Sequence, residues 1–220
     1  MPAPTFQART EIQAQWFRSP MGKAVLESEQ TVVSDAIAAH PVIGLPWLWI
    51  APAAPLPPVE GRGVRLVCAG EGWSGSLRCR PPLPIASESL GSVVLQHVAH
   101  ADDAAAIALV EDCVRMLVPG GKLFLLGLNP LSPYRLRWRG AGFPAIDPAT
   151  WRRWFSDSGL WPEPVAQGVG PQWSPLASPS LQSGPGLRAA YLQRAEKRVV
   201  PITPIRARKP LMLVDGAQAA

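Results

Sequence analysis

Apolar residues recur at helical spacing in several stretches of the chain, and each of three stretches begins with a residue that can cap a helix. Ser19 and Pro20 suit a helix start, as do Asp102 or Asp103, and Asp147 followed by Pro148. The spacing therefore predicts helices over residues 20 to about 40, 102 to about 117, and 149–158.

Continuous apolar runs bounded by Gly and Pro predict buried strands. These runs cover residues 42–44, 47–50, 64–69, 90–96, 122–128 and 187–193. Runs 90–96 and 122–128 flank a predicted helix, so they form a strand–helix–strand unit whose strands should be parallel. The pattern predicts an α/β, Rossmann-like fold in which helices flank a mostly parallel sheet. Only residues 51–61 conflict with it, because they hold too many prolines for a crossover helix.

The pattern also divides the chain into three parts. Residues 1–40 form an N-terminal helical segment, although 1–18 show no clear periodicity. Residues 41–200 carry the predicted strands and form a single domain, as suits a chain of 220 residues. Within it, 168–186 are rich in Gly, Pro, Ser and Gln and should form a loop. Residues 201–220 are expected to be a basic, flexible tail.

The chain carries a net charge of +5, and much of the excess lies between Arg135 and Arg139 and between Arg198 and Lys209. A basic tail either binds a polyanion such as nucleic acid or is simply solvated. The three cysteines contain no CxxC pair, which argues against a zinc site or a disulfide framework. No signal peptide or membrane-spanning run is evident, so a cytoplasmic protein is expected.

Residues 83–130, LPIASESLGSVVLQHVAHADDAAAIALVEDCVRMLVPGGKLFLLGLNP, resemble the class I S-adenosylmethionine-dependent methyltransferases of the type 11 group. The matching features occur in the family's order: Leu83-Pro84, Ser89-Leu90, the apolar run to Gln96, His97, and LVPGG at 117–121. Residues 16–29 and 195–206 are similar to the opening helix and the closing strand of a bacterial subgroup. The resemblance implies a methyltransferase fold and S-adenosylmethionine as cofactor.

The resemblance also implies which residues hold the cofactor. In the family the first strand ends in a glycine-rich loop, and the corresponding segment here, 42–47, keeps only Gly44, so this loop is degenerate. The second strand usually ends in a carboxylate that binds the ribose hydroxyls. Glu71 either takes this role or is an ordinary turn residue.

In an open α/β sheet the ligand binds beyond the carboxyl ends of the strands. This rule predicts one crevice lined by Gly44, Glu71, Gln96, His97 and Asn129. Histidine exchanges protons near neutral pH, so His97 is the candidate base or substrate contact. Alternatively His97 packs at the end of its strand, and Asn129 either lines the substrate side or forms a simple turn.

Two functions remain open at this point. One is a methyltransferase acting on an unknown acceptor, in which Trp138, Trp151 and Trp154 form either a substrate lid or ordinary packing. The other is a non-catalytic relative that binds a partner or nucleic acid through the basic residues. A nicotinamide-dependent enzyme is disfavoured, because no GxGxxG motif follows a predicted strand.

Overall fold

The computed structural model describes residues 6–38, 44–54, 59–69, 72–98, 102–141 and 145–198. In these ranges the helices are α1 (Phe6–Arg18), α2 (Pro20–Ala38), α3 (Asp103–Met116) and α4 (Pro148–Asp157). The strands are β1 (Trp47–Ala51), β2 (Gly63–Ala69), β3 (Gly72–Gly75), β4 (Leu90–Gln96), β5 (Leu117–Leu128), β6 (Leu160–Pro162), β7 (Gln167–Val169), β8 (Gln182–Ser183) and β9 (Ala190–Lys197). Two 3-10 turns, Pro133–Arg137 and Arg139–Ala141, follow β5.

The strands form one sheet in the order β3-β2-β1-β4-β5-β9-β7-β8, with β6 also paired to β9. Its centre is parallel: β1 pairs in parallel with β2 and β4, and β4 with β5. The predicted parallel pair is therefore confirmed. Strand β9 runs antiparallel to both β5 and β7, so the sheet is mixed at this side.

Helices cover both faces of the sheet, and β1 shows why its sequence is apolar throughout. Leu48 and Ile50 pack into the core beneath α3 and α4, whereas Trp47, Trp49 and Ala51 pack beneath α1 and α2. All five residues of β1 are buried. A strand buried on both faces has no polar side, which is why its sequence does not alternate.

Residues 1–40 were predicted as a helical segment, but no separate helix was placed over 6–18, and the character of the buried side of α1 explains the omission. Thr10, Gln13 and Phe17 are buried at intervals of three and four residues, which is helical spacing. Two of the three are polar, so a search for apolar periodicity passes over this face.

The connection between β1 and β2 contains no helix in its described residues, 52–54 and 59–62. The indole of Trp47 covers the start of β2 instead. Its Nε1 donates to the carbonyl of Glu60 at 3.3 Å, and a Cβ at Gly63 would collide with the ring. Gly63 is thus the residue that lets the indole lie against the backbone. The next connection is also unlike a crossover, since β2 and β3 pair antiparallel.

Three predicted boundaries are wrong. Residues 42–43 lie outside the described part, and Gly44 is in a turn before β1 rather than in a strand. Helix α3 ends at Met116, within one residue of the predicted end, but β5 begins at Leu117 rather than at Lys122. Strand β9 begins at Ala190, not at residue 187, because the backbone of 186 and 188 is bound by the Asn129 side chain.

Leu83, the first residue of the stretch that resembles methyltransferases, is fixed to α3. Its N–H donates to Asp112 at 2.6 Å, and its carbonyl accepts from Arg115 at 3.0 Å. Arg115 also binds Asp112 and the carbonyl of Ile85. These bonds hold residues 83–85, which precede β4, against α3. This part of the motif therefore stabilises the fold.

Candidate functional site

The carboxyl ends of β1, β4 and β5 lie together at one edge of the sheet, because these strands are parallel. A cleft of about 660 Å³ opens at this edge between the α1–α2 turn and the ends of β1 and β4. Its inner surface is formed by Trp49, Ala51, Ala53, Gln96, Leu26 and Val33. The exposed charged side chains at its rim are Arg18, Lys23 and Glu27. Its volume is within the range of small-molecule sites.

A buried hydrogen-bond network lies behind the cleft and joins two helices to two strands. Gln96 Oε1 accepts from the indole Nε1 of Trp49 at 3.1 Å, and Gln96 Nε2 donates to Glu29 at 2.8 Å. The carboxylate of Glu29, which is fully buried, also contacts His97 Nε2 at 2.8 Å. These bonds fix the orientation of the Gln96 amide, and leave it one N–H and one lone pair for a ligand in the cleft.

His97 owes its position to a left-handed backbone conformation, with φ of 46° directly after β4. This conformation is uncommon for a residue with a side chain and carries strain. The surrounding contacts maintain it: Phe17 stacks on the imidazole with ring centroids 4.7 Å apart, and Gln13 Nε2 donates to the His97 carbonyl at 2.7 Å. Both partners come from α1, so this helix is part of the site.

The two ring nitrogens of His97 differ. Because Nε2 faces the Glu29 carboxylate, which can only accept, Nε2 carries a hydrogen and Nδ1 is left to other partners. Nδ1 is buried and has no hydrogen-bond partner among the described residues. His97 also lines a cavity of about 30 Å³ with Trp151 and Tyr191, large enough for roughly one water molecule.

Tyr191 closes this small cavity and is not available as an acid or base. Its hydroxyl donates to the carbonyl of Ile146 at 2.6 Å, and burial raises the pKa of Tyr191 far above its ordinary value. The phenol therefore stays neutral, and its ring lies so close to Gly127 that a Cβ there would overlap it.

The structure brings only some of the predicted site residues together. Gln96 and His97 lie at the carboxyl end of β4 as expected, with Gln96 at the cleft. Gly44 precedes β1, so it lies near the amino end of that strand, about 16 Å away by the length of β1. Glu71 lies outside the described residues.

Asn129 follows β5 as predicted, but its carboxamide is already bound. Nδ2 donates to the carbonyls of Gly186 and Arg188, each at 2.9 Å, and Oδ1 accepts from the N–H of Leu131 at 3.0 Å. Its side chain is buried and anchors the chain that enters β9.

The segment after β1 also differs from the expected loop. The sequence places the glycine-rich loop at 42–47, but Trp47 begins β1, so the residues that follow this strand are Pro52, Ala53 and Ala54. None of them is glycine. Small side chains stand at this strand end in place of glycines.

Several residues of the site were missed from the sequence. The most informative is Glu29, which lies on the buried side of α2 with Val25, Val32 and Val33. A carboxylate in an apolar stripe is unusual unless it has a buried partner, so this position was a detectable signal.

Trp138, Trp151 and Trp154 are all buried in the two cores, which agrees with packing.

Other site types find no support in the described part of the chain. It contains no group of three or more His, Cys, Asp or Glu side chains placed to hold a metal ion. None of its helices is both long and apolar enough to cross a bilayer.

Comparison with solved structures supports the fold. The chain is similar to a SAM-dependent methyltransferase of Thermotoga maritima, described as a possible histamine N-methyltransferase: TM-score 0.54, 14% identity, covering 86% of this chain and 99% of that one. The class I S-adenosylmethionine-dependent methyltransferase fold is therefore present. A similar match, with TM-score 0.53 and 13% identity over 86% of this chain and 98% of the other, is to the Haloferax volcanii complex of the Trm112 methyltransferase activator and a proposed methyltransferase.

A third match is a SAM-dependent methyltransferase from Archaeoglobus fulgidus, with TM-score 0.51 and 10% identity over 84% of this chain and 97% of that one. No family model matches the chain, and no curated protein matches it in sequence. At these identities the comparisons establish the methyltransferase fold and not the reaction.

Proposed function

We propose that the protein is a cytoplasmic S-adenosylmethionine-dependent methyltransferase that binds its cofactor in the cleft between the α1–α2 turn and β1. The observation that carries this proposal is the position of the cleft, beyond the carboxyl ends of the central parallel strands. Open α/β sheets bind ligands at this edge.

The residues of the cleft suit the chemical parts of the cofactor. The cations Arg18 and Lys23 at the rim match the carboxylate of its methionine portion. Leu26, Val33 and the indole of Trp49 offer apolar surface to its flat base. Ala51 and Ala53 keep the strand end open, which is part of what glycines would achieve there.

When bound, the cofactor supplies a methyl group on a positively charged sulfur. The protein's part in such a reaction is mainly to hold the two reactants close together. Trp49 and Gln96 give the cleft a fixed wall, since Trp49 donates to Gln96 and Gln96 donates to Glu29. Glu29 is held in turn by its contact with His97. We propose that Gln96 contacts the cofactor with its remaining amide N–H or lone pair.

His97 is the proposed acid–base group, and the only ring atom left for this role is Nδ1. A water molecule in the 30 Å³ cavity beside the imidazole would give Nδ1 a path for proton exchange. Glu29 then acts as a positioning residue, because it fixes the tautomer of His97 and holds Gln96 in the same network. Glu71 remains the proposed partner of the ribose hydroxyls.

A non-catalytic role is the second candidate, and one observation favours it. The described residues between β1 and β2 contain neither glycine nor helix before residue 61, so none of these residues offers a helix N-terminus to the cleft. A relative that kept the fold for binding would bind RNA or DNA in a salt-dependent manner, through its basic residues, without binding the cofactor.

Calorimetric titration with S-adenosylmethionine and S-adenosylhomocysteine tests the first candidate. We expect saturable binding with a micromolar dissociation constant, and a loss of at least tenfold in Ala53→Trp, whose indole would fill the cleft. Ala104→Trp is the matched control, because it places the same ring at an exposed position on α3. Absence of binding by the wild-type protein at millimolar ligand would refute the proposal.

A further inference from the structure

Two loops beside the carboxyl end of β5 expose large apolar side chains. Leu131 and Leu136, around the first 3-10 turn, are 82% and 74% exposed. Trp173 and Leu176, in the loop between β7 and β8, are 64% and 71% exposed. Single exposed apolar residues are common on proteins, but four so fully exposed on neighbouring loops call for an explanation.

Hydrogen bonds join the two loops into one surface. The guanidinium of Arg137 donates to the carbonyl of Trp173 at 2.8 Å, and the Ser132 hydroxyl donates to the carbonyl of Leu187 at 2.9 Å. The Arg188 guanidinium donates to the carbonyl of Gly170 and to the hydroxyl of Ser178, and these bonds restrain the second loop. The backbone of these loops is therefore tied down while their apolar side chains project into solvent.

The same surface is positively charged. Arg135, Arg137 and Arg139 are exposed on the first loop. Residues 129–141 and 164–187 contain no aspartate or glutamate. We call the surface formed by residues 131–139 and 171–187 the basic-apolar face. Its complement is an anionic surface that also accepts apolar side chains.

We propose that the basic-apolar face docks on the surface of a bilayer that contains anionic phospholipid. Leucine and tryptophan side chains enter the boundary between headgroups and acyl chains, and arginines bind the lipid phosphates. Nucleic acid is a poorer complement, because phosphates and bases would leave Leu131 and Leu136 in water. This proposal concerns binding alone and holds whether or not the protein transfers methyl groups.

Docking would also orient the molecule. The Tyr134 hydroxyl donates to the carbonyl of Met21 at 3.0 Å, which connects the basic-apolar face to the α1–α2 turn at the cleft. The start of α2, close to the cleft residue Lys23, is therefore attached directly to the basic-apolar face.

Sedimentation with vesicles tests the proposal on the full chain. We expect the wild-type protein to bind vesicles that contain phosphatidylglycerol, less so at high salt, and not vesicles of phosphatidylcholine alone. The double variant Leu131→Ser/Leu136→Ser should bind at least about tenfold more weakly, since two apolar side chains no longer insert. Arg135→Gln/Arg139→Gln should lose about 25-fold, as each cation near an anionic surface contributes about fivefold.

Trp161→Ser and Arg153→Gln are the matched controls, because both side chains are exposed outside the basic-apolar face. Both should bind like the wild type, and all variants should keep the wild-type thermal unfolding midpoint. The proposal is overturned if the wild type does not bind phosphatidylglycerol vesicles. It is equally overturned if the leucine double variant binds them as the wild type does, since charge elsewhere in the chain would then account for the binding.

Discussion

Glu29 is the residue on which the candidate site depends most. Its carboxylate is fully buried and accepts hydrogen bonds from both Gln96 and His97. Without it, two buried donors would have no acceptor, which costs far more than an exposed ion pair would gain. The carboxylate therefore ties α2 to the end of β4.

We expect Glu29→Ala to lower the free energy of unfolding by about 3 kcal/mol, because it leaves the donors of Gln96 and His97 unsatisfied in the core. Urea denaturation measures this change. Glu27→Ala, an exposed carboxylate on the same helix, is the control and should change stability by less than about 0.5 kcal/mol. Equal effects of the two substitutions would show that the buried network does not stabilise the fold.

At the level of single residues, the sequence predicted the part of the candidate site at the carboxyl end of β4. Gln96 and His97 were predicted because the carboxyl end of a parallel strand is a local feature. Glu29, Gln13 and Trp49 were not, because their roles come from contacts between elements far apart in the chain, such as that of Glu29 with His97 at a sequence separation of 68.

At the scale of elements, α4 shows how local chemistry sets a boundary. Asp147 accepts from the N–H groups of Ala149 and Thr150 at 2.9 and 3.0 Å, and from the Thr150 hydroxyl at 2.7 Å. Chiefly because of the bond from the Thr150 hydroxyl, the pKa of Asp147 is lowered in the folded protein.

We expect Asp147→Ala to destabilise the protein by about 1 kcal/mol at neutral pH, the usual value of a helix N-cap. Since the folded-state pKa is lowered, this contribution is complete above the unfolded-state value of about 3.9 and is lost as pH falls through the folded-state value. Unfolding curves of variant and wild type should therefore converge only in acid. Asp157→Ala, at the other end of α4, should not destabilise, because a carboxylate there opposes the helix dipole. A constant difference down to the lowest pH would contradict this account.

Trp47 packs against Gly63 at the start of β2, beside the described residues 52–54 and 59–62, which form no helix. We expect Gly63→Ala to cost about 2 kcal/mol, since the added methyl group would overlap the indole. In a Trp47→Leu background the same substitution should cost less than about 0.5 kcal/mol, a coupling that a double-mutant cycle measures. Equal costs in both backgrounds would mean that the indole does not set the requirement for glycine.

The helices α2, α3 and α4 were predicted because apolar periodicity and a capping residue agreed. The parallel strands β4 and β5 were predicted from their continuous apolar runs. It failed for α1, whose buried side is largely polar, and at the start of β9, where Asn129 holds the preceding backbone. In both cases contacts outside the local sequence decide the structure.

For the whole molecule, the central feature is a methyltransferase fold with an altered first half. The sheet has a parallel centre and an antiparallel β9, whereas the β1–β2 connection has no helix in its described residues and β3 is antiparallel. The sequence indicated the fold through residues 83–130. It did not indicate that α1 and α2 pack over the end of β4 and form one side of the cleft, because that arrangement depends on long-range packing.

The most direct test of cofactor binding uses the indole N–H of Trp49, which lines the cleft and donates to Gln96. In protein labelled with nitrogen-15 at its nine tryptophans, with the Trp49 resonance assigned from Trp49→Phe, S-adenosylhomocysteine is titrated in. We predict a saturable shift of the Trp49 resonance while that of Trp161, outside the cleft, stays in place. If the Trp49 resonance does not move at millimolar ligand, the cleft does not hold the cofactor.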